Sequence, residues 1–125
     1  MICVAVMIIT SIGCFKKEVK CISTVDAFVD SAQGPLTGTV NSDNVYSVFF
    51  GIGNGCGRFT GFEESRTGNI ITVRARITFE GCMCTEIYQM ANEAYRFRAT
   101  APGNYIIQFI KGDLNSVVQK NITVN

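Results

Sequence analysis

The chain contains no histidine and no tryptophan, and only 2 prolines stand against 12 glycines. Without histidine there is no imidazole to serve as general base, proton shuttle or neutral metal ligand. Ser-His-Asp and Cys-His nucleophile pairs are excluded outright. A surplus of charge of either sign is missing too: 11 basic side chains face 10 acidic ones, for a net charge of +1. That balance provides no electrostatic footprint for nucleic acid. Runs of strong helix formers are scarce. In their place the chain carries Val, Ile, Phe, Thr and Gly, the composition of strands and turns. At 125 residues and 47% hydrophobic, it has material for one domain with its own core and too little for two. We expect a non-enzyme with no cofactor and no metal.

Residues 1–13 are apolar except for Cys3, Thr10, Ser11 and Gly13, and "SIGC" then gives way abruptly to "FKKEVK". The run is too short for a helix across a bilayer, which needs roughly 20 apolar residues. It has the length of a signal-peptide core. Small residues before Cys14 resemble a bacterial lipobox, although Ser11 stands where that motif carries Leu and nothing basic precedes Lys16. The resemblance implies a signal peptide over 1–13, a diacylated Cys14, and a tether over 14–20. Lys16, Lys17 and Lys20 then lie beside the membrane, as a solvated tether or against anionic lipid. The alternative is that residues 1–13 form a buried first strand, but they show no period-2 alternation.

From residue 21 onward, short strand patterns alternate with turn signals. Residues 21–31 read as one strand and 32–44 as a loop or short edge. Residues 45–52, "VYSVFFGI", are nearly all apolar and read as a strand buried on both faces. "GNGCG" (53–57) is a tight turn whose glycines permit positive φ. Residues 58–65 form a strand with a bulge at Gly61, and "RTGN" (66–69) is a hairpin turn. In residues 70–80, Ile71, Val73, Ala75, Ile77 and Phe79 alternate with Thr72, Arg74, Arg76 and Thr78, the clearest period of two in the chain. Residues 85–94 could make a helical turn or two. Strands follow over 94–100, 101–110 and 117–125, with a turn at 111–116. The pattern predicts an all-β, immunoglobulin-like antiparallel β-sandwich of about seven strands over residues 21–125. Tyr105, after a Pro-Gly turn, is a candidate corner tyrosine whose hydroxyl bonds back to the backbone.

If Cys3 leaves with the signal peptide and Cys14 carries lipid, Cys21, Cys56, Cys82 and Cys84 remain. An even number of thiols in an exported β-domain points to disulfides. A Cys82–Cys84 bridge closes a ring that is too small, so two connectivities stay open. At least one bridge from Cys56 to Cys82 or Cys84 is expected, because both ends lie in glycine-flanked turns. Closing a loop of about 26–28 residues stabilises by roughly 3 kcal/mol. Two other readings compete. Cys82 and Cys84 with Met83 or Met90 could hold a soft metal such as Cu(I), or the pair could carry thiol chemistry.

Arg74, Arg76, Arg96 and Arg98 fall on the outward faces of two alternating strands. If those strands are neighbours, the four form a basic face for a carboxylate or an acidic glycan. The bland alternative pairs them with Glu63, Glu64, Glu80 or Glu93. Glu63 and Glu64 are adjacent on a strand and cannot converge for glycoside hydrolysis. Asn121-Ile-Thr123 matches the glycosylation triplet, which matters only in a eukaryotic secretory host.

Taken together, "NGCGRFTGFEESRTGNIITVRARITFEGCMC" and "AYRFRATAPGNYIIQFI…ITVN" resemble a group of small, largely uncharacterised bacterial envelope lipoproteins. That group shares an Asn-Gly-Cys-Gly turn, a Gly-Cys-x-Cys segment and an immunoglobulin-like ending. The resemblance covers about residues 45–125. It implies a lipid-anchored, disulfide-stapled sandwich in the bacterial envelope, with a binding or structural role and no transferable catalytic residues. Its partners would be the membrane, through the anchor, and an unidentified protein or glycan. The alternative function is a periplasmic soft-metal or thiol carrier; an exported protease inhibitor is a third.

Overall fold

The computed structural model describes residues 21–125. The expected signal peptide (1–13), the tether and Cys14 lie outside the described residues. Among the described residues there is no helix. Nine strands follow in order: β1 (Ile22–Asp26), β2 (Val29–Gln33), β3 (Thr37–Gly38), β4 (Asn44–Ile52), β5 (Gly57–Thr67), β6 (Ile70–Glu80), β7 (Gln89–Phe97), β8 (Gly103–Lys111) and β9 (Asp113–Val124). They form two sheets. The larger runs β1-β6-β8-β9-β3 with β5 also paired to β6, and the smaller runs β2-β4-β7. The chain is an all-β sandwich.

The alternation in residues 70–80 sets the inner face. Ile71, Val73, Ala75 and Ile77 on β6 are buried, and so are Val48 and Phe50 on β4, Tyr95 and Phe97 on β7, and Ile107 and Phe109 on β8. Rings cross this core in a row, Phe50–Phe59–Phe62–Tyr95–Phe109–Tyr46, with neighbouring centroids 4.9–6.1 Å apart. Such tilted and edge-on pairs add about 0.5–1.5 kcal/mol each beyond burial. The β5–β6 hairpin turns at Gly68, whose φ of 63° suits the first position of a type II′ turn. The expected bulge is present: the β5–β6 register slips between Phe59 and Gly61. The Tyr105 hydroxyl donates to the Ala101 carbonyl at 2.7 Å, the backward bond expected of a corner tyrosine.

Several elements differ from expectation. Residues 21–31 are two strands, because the chain changes sheets at the buried Ala27, whose N–H donates to the Ala75 carbonyl at 2.8 Å. β4 is buried on one face only, with Val45 exposed and Phe49 partly so, because no second layer of described strands covers the outside of the small sheet. Residues 89–94 are strand, since β7 pairs with β4 along its whole length, from Gln89 opposite Ile52 to Phe97 opposite Asn44. Pairing and burial override weak local helix preference. The turn expected at 111–116 narrows to Gly112, with φ 71°, and β9 begins at Asp113. The sheets are also not wholly antiparallel. The second strand of the β5–β6 hairpin, not the first, lies beside β8, so Ile70–Val73 runs parallel to Ile106–Phe109. β3 is likewise parallel to β9.

Candidate functional site

The connection between β6 and β7 holds both members of the Cys-x-Cys. Cys82 is bonded to Cys21, just before β1, with Cα atoms 5.0 Å apart. Cys84 is bonded to Cys56, in the turn between β4 and β5, with Cα atoms 5.4 Å apart. One short segment is thus pinned to two separate elements. Backbone bonds repeat the pinning: Gly81 N–H donates to the Cys21 carbonyl at 2.8 Å, Glu80 N–H to the Cys56 carbonyl at 3.2 Å, and Gly55 N–H to the Thr85 carbonyl at 2.9 Å.

The glycines here serve close approach. None of Gly53, Gly55 and Gly57 has positive φ. A side chain at Gly55 would collide with the Thr85 hydroxyl, and one at Gly57 with Phe79 and Ile52. Gly81 does have positive φ, 131°, and an added Cβ would sit 2.9 Å from the Cys56 sulfur. The sequence signal "GCMC" therefore encodes both the sulfurs and the room they need.

With both thiols oxidised, neither Cys82 nor Cys84 is a free thiolate for a soft metal or for exchange. Beside the exposed Thr85 and Glu86, the segment and the start of β7 offer apolar surface to solvent. Met83 is 91% exposed, Tyr88 68%, Met90 55% and Ile87 49%. Tyr88 lies over Gly51, where any side chain would strike its hydroxyl. Sequence reasoning missed this feature, because it weighed Met83 and Met90 as metal ligands and Ile87 and Tyr88 as part of a helical turn.

The four-arginine face does not form. Arg74 and Arg76 lie on β6 in the large sheet, whereas β7 carries Arg96, with Arg98 just beyond it, in the small sheet. Arg74 and Arg76 both pair with Asp26, and Arg98 pairs with Asp43. A third arrangement of charge closes the flank between edge strands β5 and β7. Glu64 and Arg66 sit opposite the buried Val73 and Ile71 and so face inward. Arg66 Nε donates to Glu64 at 2.6 Å, its Nη2 donates to the Arg98 carbonyl at 3.0 Å, and its guanidinium lies 5.0 Å from the Phe97 ring centroid. Tyr95 donates its hydroxyl to the other Glu64 oxygen at 2.7 Å. Burial first, and then that bond and the Glu64 charge, push the Tyr95 phenol well above its usual range. Inward-pointing charges of this kind protect sheet edges from pairing.

Fold and cross-links define a disulfide-stapled β-sandwich domain. The family model of the ORF11 beta-sandwich domain matches residues 46–124, and the chain belongs to that family. No curated protein and no solved structure matches it. The matched stretch contains Cys56, Cys82 and Cys84, while Cys21 lies before it.

Proposed function

We propose that the protein is a lipid-anchored binding module of the bacterial envelope, which meets a protein partner through the doubly stapled β6–β7 connection. The supporting observation is the exposure of Met83, Ile87, Tyr88 and Met90 on a backbone held by two disulfides. Apolar and aromatic side chains on a fixed backbone bind with little loss of conformational freedom, and such residues concentrate binding energy. The anchor half of the reading rests on the lipobox-like "SIGC" ending at Cys14.

The two halves are tested separately. Metabolic labelling with an alkyne fatty acid should mark the wild-type chain and leave Cys14→Ala unmarked; equal labelling removes the anchor. A photo-crosslinking residue at Met83 should give a discrete adduct in intact cells, while one at Glu63 on β5 gives none. Adducts from neither position, or from both equally, would dismiss the stapled connection as the binding surface.

A further inference from the structure

Far from the staples, near the β5–β6 turn, β3 pairs with β9 for only two residues: Thr37 opposite Thr123 and Gly38 opposite Val124. Thr123 N–H donates to the Leu36 carbonyl at 3.0 Å, and Asn125 N–H to the Gly38 carbonyl at 3.0 Å. Backbone groups alternate sides along a strand. The odd-numbered residues of this stretch therefore aim N–H and C=O toward β3, and the even-numbered ones toward β8. The next strand agrees: Ile106 N–H turns away from β9 to the Asn69 carbonyl at 2.9 Å. Asn121 and Gln119 stand opposite Ile106 and Gln108. Their main-chain donors and acceptors face a stretch of the β9 edge with which no described strand pairs. The chain before Leu36 leaves that line at Pro35, whose carbonyl accepts the Tyr46 hydroxyl at 2.7 Å.

Beside this edge lies an open cavity of about 440 Å³, whose walls include Leu36, Asn104, Ile106, Asn121 and Thr123. Leu36 is 75% exposed. Thr123 Oγ1 donates to Asn104 Oδ1 at 2.8 Å, which leaves the Asn104 amide N–H groups for another acceptor. No carboxylate, lysine or arginine side chain lines the cavity.

We infer that this edge and cavity take an extended peptide segment of a partner protein, added to β9 in line with β3, with an apolar side chain seated between Leu36 and Ile106. A row of alternating main-chain donors and acceptors at strand spacing is complementary to a peptide backbone, and the adjoining pocket supplies side-chain selectivity. A lipid tail would leave those groups unpaired, and a charged ligand finds no counter-charge. The inference does not depend on the stapled connection.

The test is selection of random short peptides displayed on phage against the full chain in detergent micelles, followed by titration of the synthetic winners. The winners should alternate apolar and polar residues, shift the amide resonances of Leu36, Gln119 and Asn121, and lose at least ~10-fold in affinity against Asn121→Pro. Proline at 121 removes an edge donor but no β8–β9 bond, because Asn121 and Ile106 form a non-hydrogen-bonded pair. Leu36→Asp, which leaves the ladder untouched, should weaken the same peptides. Winners that bind both variants as well as wild type would overturn the inference, as would the absence of any winners. So would slow hydrogen exchange at Gln119 and Asn121 in the free chain, because the edge would then already be covered.

Discussion

Asp26 occupies the last position of β1 and accepts from both Arg74 and Arg76. Outward alternation of arginines is visible in sequence, but which acid neutralises them depends on a strand pairing 48 and 50 residues away. Replacing Asp26 by Ala leaves two like charges side by side without the carboxylate they share. We expect a loss of roughly 1.5–3 kcal/mol, read as a lower urea midpoint with unchanged slope. Tyr95 carries a pH dependence. Its phenol is raised in the folded state above the ordinary 10.0. The folded chain thus holds a proton that the unfolded chain releases, so the contribution is whole below that value and is lost as pH rises. Above about pH 10 the urea midpoint should fall, by up to about 1.4 kcal/mol of stability per pH unit from this group. Tyr95→Phe should flatten that fall, and a slope unchanged by the substitution would assign it elsewhere. Tyr46, raised by burial, acts in the same direction.

At the scale of elements, β1 is secured by a single ladder and by the bridge beside it. Four of its five residues are exposed, and it pairs only with the far end of β6, from Ile22 opposite Glu80 to Asp26 opposite Arg76. The Cys21–Cys82 bridge fixes the residue just before β1. In Cys21→Ser/Cys82→Ser, β1 amides should exchange far faster while those of β4 and β8 stay slow, and global stability should drop by roughly 4 kcal/mol or less. Undiminished protection of β1 would show that the ladder alone suffices. The elements most legible in the sequence were those whose signals are local. The period in residues 70–80, the glycine bulge at 61 and the Gly68 turn are each written within a few residues. The change of sheet at Ala27 and the strand character of residues 89–94 were not legible, because each is decided by a distant partner, Ala75 and β4 respectively. The staples were half legible. Spacing and flanking glycines pointed to Cys56 joining the Cys-x-Cys, but only the antiparallel register of β1 on β6 selects Cys82 for Cys21.

The path of force through the whole molecule follows from where the covalent links lie. Under the proposed anchoring at Cys14, a chain loaded at its other end receives tension at Cys21, the first described residue. From there the load passes across the bridge to Cys82, so β1 to β6, a sequence separation of 61, lie inside a closed loop that tension cannot open. Among the described residues, only the chain beyond Cys82, which includes β7, β8 and β9, can lengthen. Without the bridge, the five-residue β1 would be the first element to peel, since little of it is packed. Pulled from its two ends in an optical trap, the oxidised protein should unfold to a length set by the residues after Cys82. Full reduction should add roughly 200 Å for the released loop, at about 3.3–3.6 Å per residue. Equal lengths with and without reductant would mean that the bridges do not carry the load. With this wiring the stapled connection stays attached to the chain at Cys21 even when the rest of the sandwich is strained.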